Sequence, residues 1–80
     1  MTDFAIIQTT CPTIKHAKNI QKELLDKELA ACIQLIGPIS SQYRWENKIE
    51  TSNEWLLVIK TKKNLYTTIE KAITTLHPYD

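Results

Sequence analysis

Residues 55–59 read Trp-Leu-Leu-Val-Ile, five apolar side chains in succession. A strand with one face in water alternates apolar and polar side chains, whereas a strand covered on both faces is apolar throughout. We therefore predict a central strand here, with helices packed over one of its faces. The other face needs a second covering.

Two more strands and a turn are predicted upstream of this run. The first strand is expected at Phe4–Ile7 and is ended by Thr9-Thr10-Cys11-Pro12, because proline cannot continue a ladder. A long second strand is expected from Ala31 to Trp45, with a bulge or bend at Gly37-Pro38. Glu46-Asn47-Lys48 then indicates a tight turn, since asparagine tolerates the left-handed backbone conformation. The second and third strands therefore form a β-hairpin.

Two amphipathic helices are predicted in the remaining segments. Thr13 can cap the first, which is expected to run to about Leu29. The apolar stripe of this helix consists of Ala17, Ile20 and Leu24. The stripe of the second helix consists of Leu65, Ile69, Ala72, Ile73 and Leu76, and it stops at His77-Pro78.

The resulting β-α-β-β-α order predicts an α+β fold, the ferredoxin-like split β-α-β sandwich, with two helices on one face of an antiparallel sheet. The final strand of that fold is missing from the chain. Because this strand pairs with the first, we expect Phe4–Ile7 to form an open apolar edge. We also expect the natural protein to continue beyond Asp80, or this fragment to be less stable than its relatives.

Length and composition narrow the functional classes. Eighty residues, 42% of them hydrophobic, predict a single domain over 1–80. The net charge of +1, with the lysines scattered among acids, argues against nucleic-acid binding. No apolar run approaches the ~20 residues that cross a bilayer, and the N-terminus lacks the basic start of a signal peptide, so we predict a cytoplasmic protein that binds no membrane.

Catalysis is not expected from this sequence. It contains no pair of carboxylates, no nucleophile with a placed base and, with one glycine, no glycine-rich phosphate loop. We predict a protein that is not an enzyme and that carries no organic cofactor.

Four segments together resemble one known family: Leu29–Ile33, Tyr43–Glu50, Leu56–Thr61 and Leu76–Tyr79. In this order and at this spacing they look like the CutA divalent-cation tolerance family. The resemblance implies a ferredoxin-like protomer in a tight homotrimer, related in architecture to the PII signalling proteins, that binds copper or other divalent ions. The family's hairpin usually carries glycine where this chain has Asn47, and its members normally continue with a further strand and a short helix.

Self-association is also favoured by the residues themselves. Helices on one face of the sheet leave on the order of several hundred Å² of apolar surface uncovered on the other. Tyr43, Trp45 and Trp55 are large amphipathic side chains of the kind enriched at interfaces, and we predict that they lie at the subunit boundary. The alternative is that they fill the protomer's own core.

The candidate metal ligands are Cys11, Cys32, His16 and His77, and none has the spacing of a zinc site. The topology brings His77 to the end of the sheet where Cys11 lies, with His16 one turn into the first helix, whereas Cys32 starts the second strand roughly 20 Å away. A thiolate suits copper(I) and an imidazole copper(II).

The resemblance implies metal ligands on the segment before the proline and on the histidine of the His-Pro-Tyr segment. Here these positions are the Thr9–Cys11 region and His77, so the predicted metal-binding residues are His77, Cys11 and Thr9. Cys32 is expected to be a small buried side chain and His16 a solvated one. For His77 the alternative is helix termination.

Two other functions remain open from the sequence. One is a PII-like module that binds a small anionic ligand in clefts between subunits through Lys60, Lys62 or Arg44. The other is a trimeric scaffold with no ligand.

Overall fold

The computed structural model describes residues 3–76 and contains three strands and two helices. In chain order they are β1 (Phe4–Cys11), α1 (Ile14–Asp26), β2 (Cys32–Trp45), β3 (Lys48–Lys62) and α2 (Tyr66–Leu76), with a short 3-10 turn at Lys63–Leu65 before α2. The strands form one antiparallel sheet in the order β1-β3-β2. The predicted α+β fold and its β-α-β-β-α order are confirmed.

Both helices cover the same face of the sheet. The fully buried side chains of α1 are Ala17, Ile20 and Leu24, and Ile69 is the buried residue of α2. They pack on Leu57 and Ile59 of β3 and on their cross-strand neighbours in a single core cluster. The apolar stripes predicted for the two helices are therefore confirmed, except that Leu65 lies in the 3-10 turn before α2 rather than in the helix.

The opposite side of the sheet, called here the bare face, is not covered by any described residue. It consists of the even-numbered residues of β1 and β3 and their partners on β2, because paired residues in an antiparallel ladder point to the same side. Its rows include Ile6, Lys60 and Cys32, then Gln8, Val58 and Gln34, then Thr10, Leu56 and Ile36.

The first helix begins as predicted but ends earlier. The hydroxyl of Thr13 accepts a hydrogen bond of 3.1 Å from the backbone N–H of His16, as an N-cap should. Helix α1 stops at Asp26 rather than near Leu29, because Glu28 has a φ of 55°. The backbone N–H groups of Glu28 and Leu29 donate to the carbonyls of Leu25 and Leu24, which is a Schellman motif.

Strand β1 is longer than predicted. It runs to Cys11, and Thr9, Thr10 and Cys11 pair with Leu57, Leu56 and Trp55. The predicted stop at Thr9 was wrong because threonine fits a pleated strand, so that only Pro12 breaks the ladder.

The β2–β3 hairpin has the predicted turn and bulge. Glu46 and Asn47 have φ values of 49° and 64°, as a two-residue type I′ turn requires. The pairing register shifts between Ile36 and Ile39, so that Gly37 and the cis-linked Pro38 both lie opposite Trp55. A Cβ on Gly37 would lie 2.7 Å from Cδ1 of Trp55, so the bulge leaves no room for a side chain there.

Within residues 3–76, neither α1 nor α2 is long and apolar enough to cross a membrane.

Candidate functional site

The end of the sheet where β1 stops is the predicted metal-binding region. Cys11 is the last residue of β1, pairs with Trp55 of β3 and lies just before the start of α1. Thr9, two residues earlier, points to the same face of the sheet and pairs with Leu57. The structure thus places Thr9 and Cys11 side by side on the face that the helices cover.

The Cys11 thiol is fully buried in the helix-covered core. Its burial raises the pKa of the thiol above the usual 9.0, and the negative charge of Glu54 raises it further. A metal binds the thiolate rather than the thiol, so an ion at Cys11 would have to displace a firmly held proton.

Thr9 is half-buried beside a small cavity of about 210 Å³ between the open edge of β1 and α2. Tyr66, Glu70 and Thr74 of α2 contribute polar groups to its lining, and the hydroxyl of Thr74 donates to the backbone carbonyl of Glu70 at 2.9 Å. One carboxylate with neutral hydroxyls is a weak donor set for a soft metal ion.

His16 and His77 are the two candidate imidazole ligands. His77 lies outside the described residues. His16 is half-buried on α1, with its ring nitrogen Nε2 enclosed, rather than solvated as predicted. The residue lies in the first turn of α1, directly before the fully buried Ala17, which places it at the border of the covered face.

Cys32 is exposed, and the prediction that it is a buried hydrophobic side chain was wrong. Its neighbour Ile33 faces the helices, so alternation along β2 turns Cys32 toward the bare face. Cys11 pairs with Trp55 and Cys32 with Lys60, five residues apart on β3 and on opposite edge strands. This corresponds to roughly 20 Å, too far for a shared metal ion or a disulfide.

Within residues 3–76, no group of three or more His, Cys, Asp or Glu side chains is arranged to hold a metal ion. The described part of one protomer therefore does not fit a closed metal site. A complete site would require His77, or side chains from another subunit, in addition to Thr9 and Cys11.

The three aromatic residues predicted at the interface lie on different faces. Trp55 packs against the helix-covered core and over the bulge at Gly37. Tyr43 and Trp45 lie on the distal half of the hairpin, paired with Glu50 and Lys48, where they are 49% and 61% exposed. Tyr43 and Trp45 thus extend the bare face, and Trp55 belongs to the opposite side.

The basic side chains considered for anion binding also lie on different faces of the sheet. Lys60 and Lys62 lie two residues apart on the bare face, both exposed. Arg44 pairs with Ile49 on the other side of the hairpin. Within one protomer the structure brings together Lys60 and Lys62 without Arg44.

A feature missed from the sequence is a groove on the distal hairpin that contains two carboxylates. Glu50, Ser52 and Glu54 share one face with Tyr43 and Trp45 and line an open groove of about 670 Å³. The period-two spacing of Glu50, Ser52 and Glu54 along a predicted strand was the available signal.

Comparisons with known proteins agree on one family. The family model described as CutA1 divalent ion tolerance protein matches residues 5–80. "Protein CutA" of Mus musculus is 42% identical over 71 residues, which cover 89% of this chain and 40% of that protein. The "Divalent-cation tolerance protein CutA" of Archaeoglobus fulgidus is 36% identical over 73 residues, which cover 91% of this chain and 71% of the relative.

Solved structures show the same fold. CutA1 from the psychrotrophic bacterium Shewanella sp. SIB1 superposes with a TM-score of 0.94 at 37% identity, over 98% of this chain and 73% of that one. CutA1 from Ehrlichia chaffeensis gives 0.93 at 34% identity, over 100% of this chain and 75% of that one. The chain spans about 40% of the length of the mouse and human relatives.

Proposed function

Because the chain belongs to the CutA1 divalent ion tolerance protein family, we propose that it forms one subunit of a homotrimer that binds copper or other divalent metal ions. Relatives from Archaeoglobus fulgidus and Thermus thermophilus carry the name divalent-cation tolerance protein. Family and relatives carry names without an enzymatic activity, which agrees with the prediction of a non-catalytic protein.

The observation that carries this proposal is the bare face. Phe4 and Ile6 of β1 are 61% and 64% exposed, and Ile36 of β2 is 47% exposed, although each lies in a regular strand. Together with the half-buried Leu56 and Val58, they form an apolar patch of the kind that marks a protein interface. Copies of the same chain would bury these side chains, and for a domain of 80 residues this burial adds substantially to a small core.

For the metal we propose the end of the sheet where β1 stops, with His77, Cys11 and Thr9 as the residues that hold it. An imidazole and a thiolate together suit copper in either oxidation state. The raised pKa of Cys11 makes the binding dependent on pH, because the ion competes with the thiol proton. Since the described residues of one protomer supply too few ligands, the ion would also draw on a neighbouring subunit.

The proposal is tested by titrating copper into the purified protein while recording the absorbance of the thiolate-to-copper charge-transfer band. The native chain is expected to show a saturable band, which the double variant Cys11→Ser, His77→Ala loses. Cys32→Ser is the matched control, because it removes the exposed thiol that lies roughly 20 Å away. An identical titration of the native chain and the double variant would contradict the proposed ligands.

The cytoplasmic location stays a prediction. We propose it on the sequence features alone, and fractionation of cells that express the full-length protein would test it.

A further inference from the structure

The outward side of α1 carries three lysines on one line. Lys15, Lys18 and Lys22 follow one another at steps of three and four residues, so they share the side of the helix opposite its buried stripe. All three are exposed. The sequence contains no aspartate or glutamate from position 4 to position 22, so Lys15 and Lys18 have no acidic neighbour within one turn of the helix.

Two exposed apolar side chains flank these lysines. Ile14 and Leu25 are 43% and 44% exposed and lie about three helical turns apart on one side of α1. At a rise of ~1.5 Å per residue they are roughly 16 Å apart along the axis, with Lys18 and Lys22 between them. We call this surface the basic ridge: Ile14, Lys15, Lys18, Lys22 and Leu25.

The charges of α1 oppose the dipole of the helix. Lys15 lies in the first turn, where the backbone N–H groups already concentrate positive charge, and the last turn contains Glu23 and Asp26. Both placements lower the stability of a helix. Local arrangements that cost stability occur mainly at functional sites. Here the lysines and the positive end of the dipole together create a positive potential over the first half of the ridge.

The lysines of the ridge are available to a partner. Both ion pairs among residues 3–76 lie in the second half of α1 and at its C-cap, and neither includes Lys15 or Lys18. Lys22 pairs with Asp26 at 2.8 Å, but both side chains are exposed, and such pairs are weak enough to exchange. The ridge lies on the outer side of the helical layer, so an assembly through the bare face leaves it accessible.

We propose that the basic ridge docks an acidic segment of another protein, with its lysines facing carboxylates and with Ile14 and Leu25 contacting an apolar side chain at each end. An extended segment of about six residues spans roughly 16 Å, which is the length of the ridge. Opposite charges steer such a partner and fix its orientation. Helix α1 contains no Phe, Tyr or Trp on which bases could stack or which could anchor at lipid headgroups, so a nucleic acid or a membrane fits the ridge less well.

The docking is tested by the fluorescence anisotropy of labelled peptides added to the purified protein. The acidic probe has glutamates between two terminal leucines, and a second probe has lysines in place of the glutamates. The ridge variant carries Lys15→Gln and Lys18→Gln. The matched control carries Lys63→Gln and Lys71→Gln, which remove the same charge from exposed positions outside the ridge.

The native chain should bind the acidic probe saturably and should not bind the lysine probe. The ridge variant should weaken this binding about fivefold or more, whereas the control should stay within about twofold of the native value. Raising NaCl from about 20 mM to about 300 mM should remove most of the difference, because salt screens exposed charges. Urea denaturation of the ridge variant should show unchanged or higher stability, since a lysine leaves the first turn of α1.

The apolar end of the ridge has its own test. Ile14→Ser should weaken binding of the acidic probe and should leave unchanged the binding of a probe whose terminal leucines are replaced by serines. Equal effects of this substitution on both probes would overturn the apolar contact at Ile14.

Equal losses in the ridge variant and the control would overturn the docking site, because net charge alone would then explain the binding. A native chain that binds the acidic probe without saturation would overturn it as well. Tighter binding of a single-stranded oligonucleotide, or of vesicles that contain phosphatidylserine, would overturn the assignment to a protein partner. These outcomes do not affect the proposed metal site, because the ridge shares no residue with it.

Discussion

The two faces of the sheet are built from the same strands and similar side chains, yet their environments are opposite. On β3, Leu57 and Ile59 are fully buried beneath the helices, whereas Lys60 beside them is exposed. On β1, Ile7 packs against the core and Ile6 is 64% exposed. Ile6 and Ile7 are the same type of residue, so side-chain direction, set by the two-residue period of a strand, accounts for the difference between them.

The difference shows that the apolar residues on the two faces of a strand can have different roles: those on one face pack within the chain, and those on the other are available for association. The covered face is buried by α1 and α2 of the same chain, through Ile20, Leu24 and Ile69. The bare face has no such partner among residues 3–76, and in the proposed assembly its apolar residues would be buried by other copies of the chain. Substitutions on the first face should therefore change folding at any protein concentration, and substitutions on the second should change association.

The largest effect is expected from Leu57→Ala on the covered face. Removing a fully buried leucine side chain from the core should lower the free energy of unfolding by about 2–5 kcal/mol. Urea denaturation at several protein concentrations measures it, and the loss should be similar at each. Leu25→Ala, at a leucine that is 44% exposed on α1, is the matched control and should cost much less. Equal losses in the two variants would contradict the assignment of Leu57 to the core.

Ile6→Lys, on the bare face, should weaken association between subunits and leave the folding of the protomer largely unchanged. A charge buried in the assembly without a partner should weaken association by about 2–3 kcal/mol, while the protomer tolerates it because the position is exposed there. Analytical ultracentrifugation measures the association and circular dichroism the fold. Leu25→Lys makes the same change on a helix surface, and it should leave association unchanged. A fully assembled Ile6→Lys protein would show that this face is not an interface.

Much of the fold could be predicted from the sequence because its signals are local. Helical spacing identified the buried stripe of α1, and the Asn47 turn and the Gly37-Pro38 bulge followed from residue chemistry. The end of α1 could not be predicted, because Glu28 takes the left-handed position where glycine is the usual signal.

The candidate site was predicted less well, because which face a side chain occupies depends on tertiary packing. Burial of Cys11 and exposure of Cys32 follow from how β1 and β2 pair with β3, and this pairing is not visible in the flanking residues. The separation of Trp55 from Tyr43 and Trp45 has the same origin. The predicted metal role of Thr9, Cys11 and His77 stays a prediction.

Gly37→Ala tests how the bulge holds Trp55 on the covered face. The new methyl group would lie 2.7 Å from Cδ1 and 3.0 Å from Cγ of the indole and 3.1 Å from the carbonyl oxygen of Glu54, so the strands must shift. We expect a loss of about 1–3 kcal/mol in the free energy of unfolding. Urea denaturation measures this loss, and adding Trp55→Leu should make the alanine cost smaller. A glycine-to-alanine cost that is the same with Trp55 and with Leu at position 55 would contradict the contact.

A smaller effect is expected from pH, and it separates the two cysteines. Because the pKa of Cys11 is raised in the native state, that state keeps a proton that the unfolded chain loses above pH 9.0. The free energy of unfolding should be insensitive to this thiol below about pH 8 and should fall above pH 9 by up to ~1.4 kcal/mol per pH unit. Cys11→Ala should lack this component of the pH slope, whereas Cys32→Ala should retain it. Equal slopes in the two variants would contradict the burial of Cys11.

The most direct comparison of the two faces is the alkylation rate of Cys32 against that of Cys11 in the native protein at increasing protein concentration. Cys32 shares a row of the bare face with Ile6 and Lys60, so assembly should shield it, and its rate should fall as the concentration rises. The rate of Cys11 should stay low at every concentration, because its thiol is buried within the protomer. Rapid alkylation of Cys32 in a sample whose mass is three times 9.3 kDa would contradict the covering of the bare face by other copies of the chain.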